Sequence, residues 1–330
     1  MLEHGGNLRE AALRFGRAQE DWLDLSTGIN PRWYPVPALS GNAWHRLPEA
    51  DPALVLAAAA YYGAPLMLAV AGTQAAIQAL PRLRPPARVI VAAPSYAEHA
   101  QHWALHGHAL RQLPYAELDA AVNSNDCDVM VLCNPNNPTG ASVPPERLLE
   151  WAGRLAARGG WLVVDEAFGD TASGQSVAAH TAQAGLIVLR SVGKFFGLAG
   201  LRLGFVAAHP DLLNGLADLL GPWTVSGPAQ QIALAALSDQ GWQNSTRAQL
   251  LADGERLRRL LAEHDIAATG SALFQWWPEA LPEAFWLHMA ERGIWVRLFR
   301  DAARGIRLGL PPDEAGWRRL SLALNEWSKK

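Results

Sequence analysis

The sequence contains very little cysteine and no paired metal-binding motif, and both shortages exclude classes of protein. Its two cysteines, Cys127 and Cys133, flank one apolar segment; they are too few for a disulfide framework and wrongly spaced for a metal site. We therefore expect buried free thiols in the reducing cytoplasm. The ten histidines form no HExxH-like cluster, so we expect no metal.

Excess positive charge and a long unbroken apolar run are also lacking. The net charge is -3, and there is no basic stripe or arginine-rich tail, so nucleic acid is not an expected partner. The most apolar stretch, residues 54–72, is interrupted by Gly63 and Pro65 and predicts a helix, a turn and a short strand rather than a membrane span. The N-terminus lacks the basic region followed by an apolar region that is typical of a secretory signal. We expect a cytoplasmic protein that does not bind membranes.

What the sequence does contain is an alternation of short apolar segments and longer helical ones. Four apolar segments are near-continuous, as in strands buried on both faces of a sheet: residues 88–92, 128–132, 161–164 and 186–189. This pattern predicts an α/β fold with a mostly parallel sheet. Towards the C-terminus, strands are predicted at residues 273–277, 294–298 and 305–310, and helices at residues 249–264, 285–292 and 317–327. These elements indicate a smaller α+β domain.

Each of the four central strands leads into a polar or glycine-rich loop. The loops contain Tyr96, Asn137, Asp165 and Lys194, in chain order. In open α/β sheets, ligands bind beyond the carboxyl ends of the strands. The four loops therefore indicate one shared site.

Lys194 lies between small residues and the pair Phe195 and Phe196. An apolar pocket lowers the pKa of an amine, and only the neutral amine attacks a carbonyl. Ser191 and Arg202, at this spacing from the lysine, suit a bound phosphate. The combination predicts a pyridoxal-phosphate (PLP) site in which Lys194 holds the cofactor as an imine. The alternative is an ordinary surface lysine.

A second phosphate signal lies at Gly72, Thr73 and Gln74, which open a helical run. Free backbone N–H groups at the positive end of a helix predict a phosphate cup there. Alone, the same residues would be an ordinary helix cap made by Thr73. Ser191 and Arg202, as further phosphate ligands, favour the cup.

Three more residues suit the ring of the cofactor. Asp165 ends an apolar strand, where its carboxylate would keep the pyridine nitrogen protonated; a helix N-cap or an ion pair is the alternative. Asn137 would bond the phenolic oxygen, or it would only build a Pro-rich turn. Tyr96 would offer a flat face to the ring, or it would simply pack in the core.

Three motifs resemble fold-type I PLP enzymes of the aspartate aminotransferase family: Asn134-Pro135-x-Asn137-Pro138-Thr139-Gly140, Asp165-x-Ala167-Phe168, and Ser191-x-x-Lys194 with Arg202. The resemblance covers nearly the whole chain. It implies a fold-type I PLP-dependent transferase with a mostly parallel seven-stranded sheet in the large domain, a smaller α+β domain, and a homodimer. We expect residues 1–45 to join the small domain and the active site, residues 46–240 to form the large PLP-binding domain, and residues 241–330 to form the small C-terminal domain.

Within that family the sequence most resembles the histidinol-phosphate aminotransferases and the threonine-phosphate decarboxylases. Residues 4–12 and 23–31 are similar to motifs of the decarboxylases, and Phe168 stands where most of the aminotransferases have a tyrosine. The implied activity is that of a carboxy-lyase, which converts O-phospho-L-threonine to (R)-1-aminopropan-2-yl phosphate for the cobalamin nucleotide loop. A histidinol-phosphate-type aminotransferase is the alternative, and a non-catalytic PLP-binding protein is a rival of another class.

The resemblance also implies which residues approach a substrate that carries both a carboxylate and a phosphate. These residues are His4, Asn7, Asn30, Asn137, Arg297 and Arg307. A guanidinium binds either anion through two parallel hydrogen bonds. The alternatives are a flexible N-terminal tail and a solvated strand face for the two arginines. Which arginine binds the carboxylate stays open.

Two positions depart from the pattern of many relatives. Gly193 replaces a serine or threonine just before the lysine, and Leu47 replaces a tyrosine that reaches the neighbouring subunit's phosphate. Each departure removes one hydrogen bond to the cofactor phosphate. The expectation is weaker PLP binding unless another donor substitutes.

Overall fold

A computed structural model describes residues 4–172 and 174–327, in which strands form a large sheet, a small sheet and a two-stranded pair. The strands, in chain order, are β1 Leu23–Asp24, β2 Met67–Val70, β3 Arg88–Ala92, β4 Ala109–Leu113, β5 Val129–Cys133, β6 Trp161–Asp165, β7 Leu186–Ser191, β8 Gly204–Ala207, β9 Thr269–Ser271, β10 Phe274–Trp277, β11 Ile294–Trp295, β12 Arg297–Phe299 and β13 Gly305–Gly309.

Helices cover both faces of the large sheet and one side of the small one. They are α1 Leu8–Phe15, α2 Asn42–His45, α3 Pro52–Tyr62, α4 Thr73–Ala79, α5 Ala97–Leu105, α6 Leu118–Asn123, α7 Pro145–Ala156, α8 Pro210–Leu220, α9 Gly227–Ser238, α10 Gln240–Ala262, α11 Pro282–Glu291 and α12 Glu314–Trp327. Within the described ranges, none of these helices combines the length and the apolar content needed to cross a membrane.

The large sheet has seven strands in the order β2-β8-β7-β6-β5-β3-β4. Only β8 runs against its neighbours, so the predicted mostly parallel sheet is confirmed. Alternate residues of the central strands enter two separate apolar cores, one on each face. Burial on both faces explains why these strands are near-continuous apolar runs in the sequence.

The small sheet has the order β12-β13-β10-β9 and is antiparallel throughout. The prediction of one strand at residues 294–298 was wrong, because the segment divides at Val296. β11 instead pairs in parallel with β1, whose Leu23 lies opposite Ile294. A partner so distant in sequence leaves no local pattern, so apolar periodicity could not reveal it.

Helix α10 begins at Gln240, whereas the sequence placed its start at residue 249. Asp239 caps the helix, since its side chain accepts a hydrogen bond from the Trp242 N–H at 2.9 Å. The first turns are polar and carry no clear apolar stripe, which hid them from a search for amphipathic periodicity. The domain limits at residues 45/46 and 240/241 stay predictions.

Candidate active site

One pocket lies at the carboxyl ends of the large sheet's strands, where the loops were expected to converge. All nine residues predicted to contact the cofactor line it: Gly72, Thr73, Gln74, Tyr96, Asn137, Asp165, Ser191, Lys194 and Arg202. Cys133 and Phe168 also line the pocket. Both cysteines are free and buried, as expected.

At one end of the pocket, Arg202 packs against the start of α4. A Cβ atom at Gly72 would lie 2.6 Å from Nη2 of Arg202, and Gly72 has φ +73, so only glycine fits here. Arg202 itself has φ 55, a strained backbone conformation of the kind that clusters at ligand sites. A guanidinium and the free N–H groups of a helix start thus meet at one point, which suits a phosphate group.

Ser191 and Gly193 complete this end of the pocket. The Ser191 hydroxyl oxygen accepts a hydrogen bond from the Gly193 N–H at 3.1 Å. A Cβ atom at position 193 would lie 3.2 Å from that oxygen and 3.2 Å from Cα of Ala199. The tight turn therefore explains the glycine at this position, since a larger side chain would push against Ser191.

Lys194 lies in the middle of the pocket, with its Nζ atom 5.3 Å from the ring centre of Phe168. Burial, together with the positive charges of Arg307 and Arg202, lowers the pKa of Lys194 to about 8. The predicted lowering of this pKa is confirmed. The other two lysines of the chain are Lys329 and Lys330 at the C-terminus, a scarcity that by itself singles out Lys194.

Two hydrogen bonds from Asn30 hold the loop that carries Lys194. The side-chain amide of Asn30 donates to the Phe195 carbonyl at 2.9 Å, and its backbone N–H donates to the Lys194 carbonyl at 3.0 Å. Asn30 is 1% exposed, and its side-chain oxygen accepts from the Arg32 N–H at 2.9 Å. The structure thus places Asn30 beneath the loop rather than in the pocket lining, and its role towards substrate stays a prediction.

Asp165 is buried at the end of β6 and pairs with His99, a residue that the sequence reasoning missed. Nε2 of His99 lies 2.9 Å from Oδ2 of Asp165. Burial lowers the pKa of His99, but the bond to Asp165 and the nearby Cys133 more than offset burial and raise the pKa to about 10. The charged imidazole therefore binds one oxygen of Asp165, whose side chain lines the pocket. One signal was available: His99 follows Tyr96 by one helical turn.

His99, Cys133 and Asp165 are also the group of described residues whose geometry could suit a metal ion, since their donor atoms lie within 4.8 Å of one another. Three protein donors are few for a structural site. Two of them are already bonded to each other. The arrangement therefore fits the support of Asp165 better than it fits a metal centre.

Two arginines face each other on neighbouring strands of the small sheet, Arg297 on β12 and Arg307 on β13. Arg307 donates to the Asn137 side-chain oxygen, and also to the Ser26 carbonyl at 2.6 Å. Burial and the charge of Arg297 lower the pKa of Arg307 to about 9. Its buried Nε has no hydrogen-bond partner among the described residues. The two neighbouring positive charges and the unsatisfied donor together favour the binding of an anion.

The N-terminal residues predicted to approach substrate lie at different distances from the pocket. His4 is close, since its ring centre is 5.9 Å from that of Tyr96. Asn7 is exposed, and its side chain donates to Glu10 at 2.9 Å. Leu47 is 66% exposed. The structure therefore brings His4 to the pocket edge but does not bring Asn7 there.

Together, these groups match the chemical parts of PLP. Arg202, Ser191 and the start of α4 suit its phosphate, Asp165 its ring nitrogen, and Lys194 its aldehyde carbon. The buried Nε of Arg307 leaves a donor for a further anion.

Comparison with known proteins agrees with this site. The profile of the family described as aminotransferase class I and II matches residues 20–324. The chain is 52% identical to a threonine-phosphate decarboxylase from Pseudomonas aeruginosa, over 98% of this chain and 97% of the relative. It is 45% identical to a threonine-phosphate decarboxylase from Sinorhizobium, over the same shares.

Among solved structures, a histidinol-phosphate aminotransferase from Sinorhizobium meliloti in complex with pyridoxal-5'-phosphate superposes with a TM-score of 0.83. The match covers 99% of this chain and 95% of that one at 23% identity, so it speaks for the fold alone. The fold is that of the PLP-dependent aminotransferases. The chain belongs to the aminotransferase class I and II family.

Proposed function

We propose that this chain is a PLP-dependent carboxy-lyase that converts O-phospho-L-threonine to (R)-1-aminopropan-2-yl phosphate. The observation that carries the proposal is the pair Arg297 and Arg307, which face each other beside Asn137 at the cofactor pocket. A substrate with two anionic ends relieves the repulsion between the arginines and satisfies the free Nε of Arg307. The two full-length relatives, both named threonine-phosphate decarboxylase, support the same substrate.

The pocket residues divide the work on the cofactor. Arg202, Ser191 and the backbone of Gly72 to Gln74 would hold the phosphate, Tyr96 would cover one ring face, and Asn137 would bond the phenolic oxygen. Asp165, supported by His99, would keep the ring nitrogen protonated. Bound PLP then supplies a sink for the electrons released at the substrate's Cα.

Lys194 attaches the cofactor and moves protons beside it. Its lowered pKa leaves a large share of neutral amine near pH 8, the form that attacks a carbonyl. After carbon dioxide leaves, the neighbouring ammonium group returns a proton to Cα. Phe168, which packs against Phe274, offers no hydroxyl near Lys194.

The assay that decides the reaction uses purified holoenzyme and O-phospho-L-threonine without an added keto acid. We expect release of carbon dioxide and of the amino-alcohol phosphate in equal amounts. A histidinol-phosphate-type aminotransferase would instead release no carbon dioxide and would turn over histidinol phosphate with a keto acid. A non-catalytic PLP-binding protein would show an unchanged absorbance spectrum with either substrate.

We also propose that the chain works as a homodimer. The large apolar side chains that are more than half exposed include Trp44, Leu47, Leu56 and Trp223. Trp44 lies on α2 and Leu56 on α3, and both helices pack on α9; Leu47 follows α2 and Trp223 precedes α9 in the chain. A second copy would cover this surface, which is unusually apolar for a monomer. Sedimentation should give a dimer, and the double variant Trp44→Glu with Leu47→Glu should give a monomer.

The proposed reaction places the enzyme in the synthesis of the cobalamin nucleotide loop, with the cytoplasm as its compartment. Deletion of the chain's coding sequence in its host would then create a need for the amino-alcohol phosphate or for finished cobalamin. Growth that is independent of both would contradict this placement.

A further inference from the structure

Glu98, the second residue of α5, is a buried carboxylate with no role in the chemistry described above. It is 8% exposed, and three side chains surround it. Oε2 accepts from Gln74 Nε2 at 2.7 Å and lies 3.2 Å from His102 Nε2, while Oε1 lies 2.7 Å from His4 Nε2. A carboxylate is rarely buried unless polar partners compensate for the loss of water. The three side chains around Glu98 provide that compensation.

One arm of the cluster, the hydrogen-bonded chain from Glu98 through Gln74 to Tyr96, leads to the cofactor side of the pocket. Gln74 donates to Glu98 through Nε2, and its Oε1 accepts from the Tyr96 hydroxyl at 3.2 Å. Because the two ends of an amide differ, the carboxylate decides which way Gln74 points. Glu98 thereby fixes the Tyr96 ring and a side chain at the start of α4.

The other arm leads along the N-terminal segment to the substrate side. His4 contacts Glu98, and two residues later the Gly6 N–H donates to the Ser26 hydroxyl oxygen at 2.8 Å. The carbonyl of Ser26 accepts from Arg307 at 2.6 Å. A single carboxylate on α5 is thus connected to the arginine that we assign to substrate.

The charge of Glu98 fits this arrangement. Burial alone raises the pKa of its carboxyl group, but the hydrogen bonds from Gln74, His4 and His102 more than offset burial and bring the pKa below its usual value. Glu98 is therefore ionised at neutral pH, and it remains an acceptor for both arms.

We propose that Glu98 is a positioning residue for the phosphorylated substrate, which holds His4 at the pocket edge while fixing Gln74 and Tyr96 on the cofactor side. The proposal rests on the proposed function, because it takes the substrate to be O-phospho-L-threonine. It deepens that function, since it assigns substrate recognition to a carboxylate that touches neither substrate nor cofactor.

The first test is a double-mutant cycle on the holoenzyme with Glu98→Gln and His4→Ala. Each single variant should raise KM for O-phospho-L-threonine about tenfold and change kcat less than about twofold, since a hydrogen bond to a charged group is worth about that much. The double variant should also raise KM about tenfold, because each change removes the same His4–Glu98 contact, while the amide that replaces the Glu98 carboxylate still offers an oxygen to Gln74. A KM raised about a hundredfold in the double variant, or an unchanged KM in Glu98→Gln, would overturn the proposal.

Matched controls come from groups of the same kind away from the pocket. Glu150→Gln removes a carboxylate that binds two arginines on α7, and His180→Ala removes an exposed histidine. Both should keep KM within about twofold of the wild type. If Glu98→Gln fails to fold, His4→Ala carries the test alone, because nearly half of the His4 side chain is exposed and its loss leaves no cavity.

A second readout needs no turnover. Arg9 is exposed, but it lies in the first turn of α1, where helical backbone resists a protease. Release of the N-terminal segment should loosen that turn, so trypsin should cleave Glu98→Gln and His4→Ala at Arg9 about ten times faster than the wild type, as followed by mass spectrometry. Wild-type cleavage rates in both variants would overturn the inference. If wild-type enzyme does not decarboxylate O-phospho-L-threonine, the proposed function fails, while the cleavage rates still decide whether Glu98 holds the segment.

Discussion

The two halves of the candidate site are built in different ways. On the cofactor side, most residues lie at or just after the carboxyl end of an apolar strand of one sheet, and Asp165 contacts His99, 66 positions away. On the substrate side, Arg307 bonds Asn137 and Ser26, which are 170 and 281 positions away. The strands of one sheet thus position the cofactor site, whereas the substrate site forms only when distant segments of the chain come together.

The cofactor side and the substrate side of the site also differ in how their charges are paired. On the cofactor side, Asp165 faces a charged His99, so this pair is balanced before any ligand arrives. Arg307 faces Arg297 and retains an unsatisfied Nε. Asp24 is the nearby carboxylate that acts on Arg307, and the free Nε still leaves a donor for a bound anion. Changes on the two sides should have distinct signatures, and four predictions test this.

Lys194→Ala should have the largest effect. Proton transfer by a positioned group contributes roughly a hundred- to ten-thousandfold, and covalent attachment is lost as well, so decarboxylation should fall by at least about a thousandfold. Borohydride reduction of the wild type should label Lys194, since the other two lysines are the last two residues. Near-normal turnover in the variant would contradict the assignment.

Arg307→Gln should have the next largest effect, on the substrate side. Hydrogen bonds to charged groups contribute about 1.5–3 kcal/mol, so kcat/KM for O-phospho-L-threonine should fall about a hundredfold. PLP should remain bound, as judged by its absorbance. The control is Arg304→Gln, an exposed arginine beside Glu283. Loss of PLP from Arg307→Gln would mean that the two halves of the site are not separate.

The pKa of Lys194 connects the two sides and gives a smaller, pH-dependent effect. Because the neutral amine reacts, the rate at which PLP-free enzyme takes up PLP should rise with pH, with a midpoint of about 8. Arg307 is one cause of this low value, so Arg307→Gln should move the midpoint upward. An unmoved midpoint would show that Arg307 does not contribute to the low pKa of Lys194.

The smallest effect concerns the stability of the cofactor side. The pKa of His99 is raised from 6.5 to about 10 on folding, so the His99–Asp165 pair stabilises the fold fully below pH 6.5 and is lost as pH rises through 10. The melting temperature of His99→Gln should lie several degrees below that of the wild type at pH 6, and the gap should narrow by pH 10.5. A gap that is constant with pH would argue against a charged pair.

The sequence predicted the cofactor side better than the substrate side for a physical reason. Gly72, Asp165 and Lys194 each follow an apolar run, and the carboxyl ends of such strands share one edge of a sheet. His99 lies inside α5 and follows no apolar run, so its spacing of one helical turn from Tyr96 was its one signal in the sequence. Asn30 was expected near the substrate, yet it lies under the Lys194 loop, a position set by packing and not by any motif.

The small sheet also shows that sequence patterns do not reveal contacts between distant segments. Its strands were located within a few residues, but the split at Val296 and the pairing of β1 with β11 depend on contacts between the two ends of the chain. Glu98 was missed for a similar reason, since its partners His4 and Gln74 lie on other segments.

The bond between Arg307 and Ser26 also sets an order of events during synthesis. Residues 281 positions apart must both have left the ribosome, and at 5–20 residues per second that delay is roughly 15 to 55 seconds. The strands around Lys194 end at Ala207, so they are complete while the last 100 of those residues are made. The nascent chain could then bind its cofactor before its substrate site has formed.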